Sequence, residues 1–370
     1  MVDLGRIPRA YAAFNEKRWA PLAKALFGFG LIAALPHLLF LHFFSFELGD
    51  VFSVKILIVV LVWAYTAQAW NILSGYTGQF SFGHAAFFGI GAYATMALVV
   101  TYQINPWIGM LVGGVAAGLY GAVIGGLTFR YNVTGHYFAL TTLAFAELLR
   151  NTVINVDELN GARGYYRPFA RTYADGTGLV AFQFNTDLPY YYLMLTFLVL
   201  ITAIAWGIKK SSIGLYFFAI RENENAAASL GIPVRRYKMV GIVVSAFFTA
   251  WAGSFWSMYF TTIRPDTVFS LFRNVEILLP AIVGGPGTVA GPIVGSFLII
   301  PLSEYIRVNF DNIHGLHRTI YGVALVLIVL YSPRGVVRWP RRAVDIGYRA
   351  MERTGVRERG EADHRAEVDD

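Results

Sequence analysis

The chain contains no cysteine, which excludes disulfides, thiolate catalysis and cysteine-ligated metal sites. It is also poor in charge. Asp, Glu, Lys and Arg make up 14% of the 370 residues against 56% apolar residues, with a mean hydropathy of +0.52. A soluble globule of this length needs far more polar surface, so the composition is that of an integral membrane protein. The net charge of +7 arises from basic residues clustered beside apolar runs. That placement reflects membrane topology and anionic headgroups, and argues against a nucleic-acid partner. The sequence has no nucleotide-phosphate loop, no Gly-x-Ser-x-Gly elbow and no paired metal-ligand histidines. Neither ATP hydrolysis nor an intramembrane hydrolase reaction therefore has a motif to rest on, and no cofactor is expected on this chain.

What is present is a series of apolar runs separated by short polar stretches. Residues 1–24 carry Arg6, Arg9, Lys17, Arg18 and Lys24 with aromatic residues between them, an arm suited to the cytoplasmic headgroup region. Residues 25–332 form the membrane domain, and 333–370 a charged tail. The runs 25–46, 51–73, 85–102, 108–129, 136–154, 188–208, 239–260, 275–283, 293–306 and 319–332 predict an all-α polytopic protein of about ten transmembrane segments. Most of the 30 Lys and Arg fall on one side of that arrangement. Both termini and a loop at 209–238 are therefore placed inside, and a charge-balanced loop at 155–187 outside. Glu147 and Arg150 are three apart and can pair on one helix face, while Glu276 is read as interfacial.

Two stretches break the apolar pattern without introducing charge: 75–84 (GYTGQFSFGH) and 284–292 (GGPGTVAGP). Gly-rich backbone is tolerated at membrane depth only where protein buries it or where it lines a wet cavity. Gly75, Tyr76, Gly78, Gln79, Ser81, His84, Thr141, Thr142, Gly284 and Gly285 are accordingly the candidate lining of a solute path. The competing reading is that the hydroxyls only bond neighbouring helices and that His84 is structural. Segments 2–5 and 7–10 each contain one such break and begin an odd number of segments apart, which suggests an inverted repeat.

The longest charged interruption is 219–233 (AIRENENAAASLGIP). Ala226 to Leu230 favour helix, Gly231 offers a left-handed stop and Pro233 prevents resumption. A short stopped helix between spans follows, with Glu222 and Glu224 in its first turn.

Four ordered stretches, 71–93, 136–147, 219–237 and 282–292, together resemble the permease subunits of ABC importers for branched-chain amino acids and related solutes such as urea and short amides. The likeness runs over about residues 50–335. It departs from the family at 159–164 (LNGARG), where a Thr-Gly-Gly element is usual, and so leaves the solute open. The resemblance implies that 221–231 is the coupling helix, with Arg221, Glu222, Asn223, Glu224, Ser229 and Gly231 facing an ATPase subunit. It also implies a second homologous permease, two cytoplasmic ABC ATPases that use the ATP, a periplasmic solute-binding protein, and location in a bacterial inner membrane. An ion-coupled secondary transporter is the alternative; it should bury an unpaired carboxylate, and Glu147 has a partner available.

Overall fold

A computed structural model describes residues 20–40, 53–168, 178–309, 319, 322–323, 330 and 335–338. The basic arm up to residue 19, most of the last expected segment and nearly all of the tail lie outside the described residues. The helices are α1 (Ala20–Phe40), α2 (Val54–Trp70), α3 (His84–Tyr102), α4 (Pro106–Arg130), α5 (Gly135–Asn155), α6 (Asp187–Lys210), α7 (Ser212–Glu222), α8 (Glu224–Ser229), α9 (Val234–Phe260), α10 (Pro265–Val268), α11 (Leu271–Gly284) and α12 (Gly291–Asn309).

Six of these stretches are long and apolar enough to cross a membrane: Val54–Tyr76, His84–Tyr102, Pro106–Arg130, Asp187–Lys210, Val234–Phe260 and Pro265–Gly284. Two shorter apolar helices, Ala25–His37 and Gly291–Ile306, accompany them. The expectation of about ten segments is thus met only in part. The fifth expected segment folds as α5, but with Glu147, Arg150 and Asn151 it is too polar to count among the six. Its predicted ion pair forms at 3.0 Å, and Arg150 reaches Asp266 at 3.5 Å as well.

The bundle is built around α2, which is buried from Leu57 onward except at Val59 and packs on α6, α9, α11 and α12. Apolar surface on every side of the helix is what allows this central position. Beside it, α3, α4 and α9 form a tightly joined group. A Cβ on Gly91 would lie 1.9 Å from the Ala250 carbonyl oxygen, and one on Gly253 would lie 1.9 Å from that of Phe88. The α3 and α9 backbones therefore touch, and Thr95 and Ser254 hydrogen-bond across the seam at 2.8 Å.

At one end of the bundle, β1 (Tyr165–Tyr166) pairs antiparallel with β2 (Thr262–Ile263), which follows α9. The Trp107 indole donates to the Leu179 carbonyl at 2.8 Å. The described parts of the loop 155–187 thus share one end with the start of α4 and the finish of α9, as the alternation of segments requires.

Helices α2 and α11 both run toward the same end, and the two Gly-rich breaks that follow them meet there, hydrogen-bonded to each other.

Candidate functional site

The first break begins before its glycines. Helix α2 widens into a π-helical turn at Asn71–Tyr76, the chain runs irregularly from Thr77 to Gly83, and α3 restarts at His84. A π turn is characteristic of functional sites in helices. The second break joins α11 to α12 through Gly285 and Gly287, both with positive φ. A Cβ on Gly284 would lie 1.7 Å from the Gly291 carbonyl oxygen, so α11 and α12 form a hairpin with backbones in contact. Gly335 sits against this turn: a Cβ there would lie 2.2 Å from the Gly285 Cα.

Asn71 ties the two breaks together. Its Oδ1 accepts from the Gly287 N–H at 2.7 Å, and its Nδ2 donates to the Thr288 carbonyl at 2.9 Å. Gly75 makes room for this bridge, since a Cβ on it would fall 1.8 Å from Asn71 Oδ1. From the other side, Arg221 Nη1 donates to the Gly75 carbonyl at 2.6 Å. The Arg221 side chain passes over Gly78 and its guanidinium reaches Gly287, positions where a Cβ would come within 3.1 Å and 2.1 Å of it. Both breaks and the end of α7 thus meet at one junction.

The remaining candidates on the first break are buried but differently employed. His84 Nε2 lies 2.8 Å from Ser245 Oγ, whose hydroxyl donates to the Ala69 carbonyl at 2.7 Å. Ser245 must therefore accept from His84 Nε2–H, which leaves Nδ1 to accept from Ser81 at 3.2 Å. Both ring nitrogens of His84 are thus occupied by side chains of the bundle. Thr142 accepts from the Phe82 N–H at 3.0 Å and pins the irregular segment to α5. Thr141 lies on another part of α5, half exposed and bonded to the Tyr137 carbonyl, away from the junction. Tyr76 Oη and Gln79 Oε1 are buried with no hydrogen-bond partner among the described residues. They are the two candidates with unmet polar capacity.

The stopped helix at 221–231 is in fact two helices. Asn223 is extended, and its side chain accepts from the Ala226 N–H at 3.0 Å, capping α8. Gly231, at φ +83, closes α8 with its N–H on the Ala228 carbonyl at 2.9 Å, as its sequence position suggested. Of the six residues named for an outward face, Arg221 is exposed but sends its guanidinium to the Gly75 carbonyl, and Glu224 is half-buried and pairs with Lys238 of α9 at 2.5 Å. Glu222, Asn223, Ser229 and Gly231 are exposed together with Leu230, which is 81% exposed.

Glu276 is partly buried. It pairs at 2.8 Å with Arg273, whose guanidinium lies 4.7 Å from the Trp256 ring and 4.9 Å from that of Trp63. Asn274, also unforeseen, accepts from the Ala85 N–H at 2.6 Å and so caps α3 from another helix. The bridging role of Asn71 had a faint signal: it is an uncharged amide in an apolar run, one helical turn before Gly75.

Comparison with known proteins adds the context. The profile of the family described as "Branched-chain amino acid transport system / permease component" matches residues 52–330. The chain is 26% identical over 308 residues to the high-affinity branched-chain amino acid transport system permease protein LivM of Escherichia coli, covering 78% of this chain and 71% of that protein. It is similar to two proteins of Methanocaldococcus jannaschii. One is the probable branched-chain amino acid transport permease protein LivM, 21% identical over 331 residues and covering 77% of this chain and 94% of that one. The other is the probable branched-chain amino acid transport permease protein LivH, 23% identical over 280 residues and covering 70% and 84%. No solved structure matches the chain.

Proposed function

The chain belongs to the permease components of branched-chain amino acid ABC importers, and we propose that it forms one half of a pore carrying a branched-chain amino acid or a related small solute inward. The second half is a homologous permease; likeness to both LivM and LivH of one organism supports a pair of related but distinct subunits. One of two ATPase subunits docks at the loop 209–238, where Glu222, Ser229, Leu230 and Gly231 offer an exposed surface. A periplasmic binding protein delivers solute at the end formed by the loop 155–187. The chain is multi-pass in the inner membrane with both termini and the loop 209–238 in the cytoplasm, and ATP is hydrolysed by the partners.

The observation that carries this reading is the junction at Asn71. Two uncharged Gly-rich breaks meet there against the end of α7, so a movement of the cytoplasmic loop reaches the interrupted helices directly. The ion-coupled alternative is disfavoured by Glu147, which is paired with Arg150.

Reconstitution with the partner subunits and the cognate binding protein tests the reading. Uptake of leucine should require ATP and the binding protein and survive collapse of ion gradients; gradient-driven, ATP-independent uptake would refute it. Thermal-shift screening of the binding protein against branched-chain amino acids, urea and short amides identifies the solute. Sidedness is read from single cysteines in the cysteine-free chain. A cysteine at Glu158 should label from outside and one at Ser229 only after the membrane is opened, in right-side-out vesicles.

A further inference from the structure

We infer that Arg221 is a mechanical pin that joins the cytoplasmic loop to both interrupted helices, and not a contact for the ATPase. This rests on the import reading above and concerns how that import is driven.

Three observations converge on the residue. First, its Nη1 donates to the Gly75 carbonyl at 2.6 Å, in the π turn that ends α2. Carbonyls at a helix C-terminus lack intrahelical partners and carry the negative end of the dipole, so a guanidinium is suited to hold them. Second, the path of the side chain is cut through glycine. A Cβ on Gly78 would stand 3.1 Å from Arg221 Cγ, and one on Gly287 would stand 2.1 Å from Nη1. Positive φ accounts for these glycines in part, but the backbone at both positions is also shaped to this one side chain. Third, the carbonyl that Arg221 grips belongs to the glycine that makes room for the Asn71 bridge to Gly287 and Thr288. One cation at the end of an eleven-residue helix, α7, is therefore linked to the first break by a hydrogen bond and to the second by contact and through Asn71.

An ordinary helix-capping arginine would need the first feature alone. Contact with two breaks more than 200 residues apart in sequence, tied by a third side chain, gives a joint through which displacement of α7 moves both. Arg221 is exposed alongside Glu222 and the outer face of α8, but its guanidinium is already engaged, which leaves Glu222 and that face for an ATPase.

The test uses the complete reconstituted complex with its binding protein and measures leucine moved per ATP hydrolysed. Arg221→Ala should leave the ATPase subunits co-purifying in wild-type ratio while leucine moved per ATP falls at least tenfold. Arg221→Lys, which keeps the cation but presents no fork, should recover part of the loss. A covalent replacement separates a joint from a mere structural support. A Cβ on Gly78 would lie 3.4 Å from Arg221 Cβ, close to the separation a disulfide spans. With cysteine-free partners, Gly78→Cys combined with Arg221→Cys should be uncoupled when reduced and regain coupling severalfold when oxidised, reversibly. Loss of the ATPase from Arg221→Ala would make Arg221 a docking residue and overturn the proposal. So would wild-type coupling in that variant, failure of the disulfide to form, or a disulfide without effect on coupling. A wild-type complex with no ATP-driven uptake would refute the import reading itself, and the pin with it.

Discussion

Replacing Glu224 by Gln should loosen α8 from the bundle, and the size of the effect follows from how little else holds that helix. Six residues are too few for a helix to persist alone in water. Ala227 is its one buried side chain, worth about 0.8 kcal/mol for a buried methyl group. The remaining anchors are the Asn223 cap, the Gly231 closure and the ion pair to Lys238. Lys238 is 3% exposed and its ammonium lies 5.5 Å from the Phe129 ring, so loss of Glu224 strands a buried cation. Breaking a fully buried pair costs about 3–5 kcal/mol. Glu224 is 33% exposed, so water screens part of the interaction and about 2 kcal/mol is the reasonable figure. At about 1.4 kcal/mol per tenfold, local opening should rise roughly 30-fold. Hydrogen exchange of the amides in Glu224–Ser229, followed by mass spectrometry in nanodiscs, measures this directly. Adding Lys238→Met removes the stranded charge and should restore most of the protection. Wild-type exchange in Glu224→Gln, or a double variant as open as the single one, would refute the reasoning.

Other consequences are as direct. Gly253→Ala places a methyl group within 1.9 Å of the Phe88 carbonyl and should abolish monodisperse elution of the solubilised protein. Gly207→Ala, with nothing within 4 Å, should elute as wild type. Asn71→Leu strands the Gly287 N–H and the Thr288 carbonyl, at about 1–3 kcal/mol for each buried group. It should lower the thermal midpoint and abolish uptake in the assembled complex. Glu276→Gln leaves Arg273 charged among aromatic rings and should lower the midpoint too, whereas adding Arg273→Met should recover much of that loss.

Six of the expected membrane segments and the two glycine breaks were legible because hydropathy and backbone permissiveness are local properties. The stop at Gly231 and the pairing of Glu147 with Arg150 were legible for the same reason, since each needs only a few neighbouring residues. The engagements of Asn71 and Arg221 were not legible, because their partners lie 217 and 146 positions away and no local pattern marks the destination. Charge in a loop between spans reads as surface; that Arg221 and Glu224 also engage the bundle depends on where α2 ends and α9 begins. The split at Asn223 was within reach, because Asn followed by Glu and an alanine run is a helix start, and here it interrupts a longer helical stretch. The aromatic enclosure around Arg273, the partner of Glu276, was not legible, because it is assembled from three helices and leaves no trace beside them in the sequence.

Backbones that touch at Gly91 and Gly253 leave no lubricating layer of side chains between α3 and α9. Rotating or sliding one against the other would drive carbonyl oxygens into Cα atoms, so α3, α4 and α9 turn as a single plate. The hairpin of α11 and α12, closed at Gly284 and Gly291, is a second stiff body. Alternation between outward and inward access then has few degrees of freedom left to it. Asn71, at the end of α2, ties the turn of the hairpin to the segment that leads into the plate, so any relative movement of the two bodies loads that one amide's two hydrogen bonds.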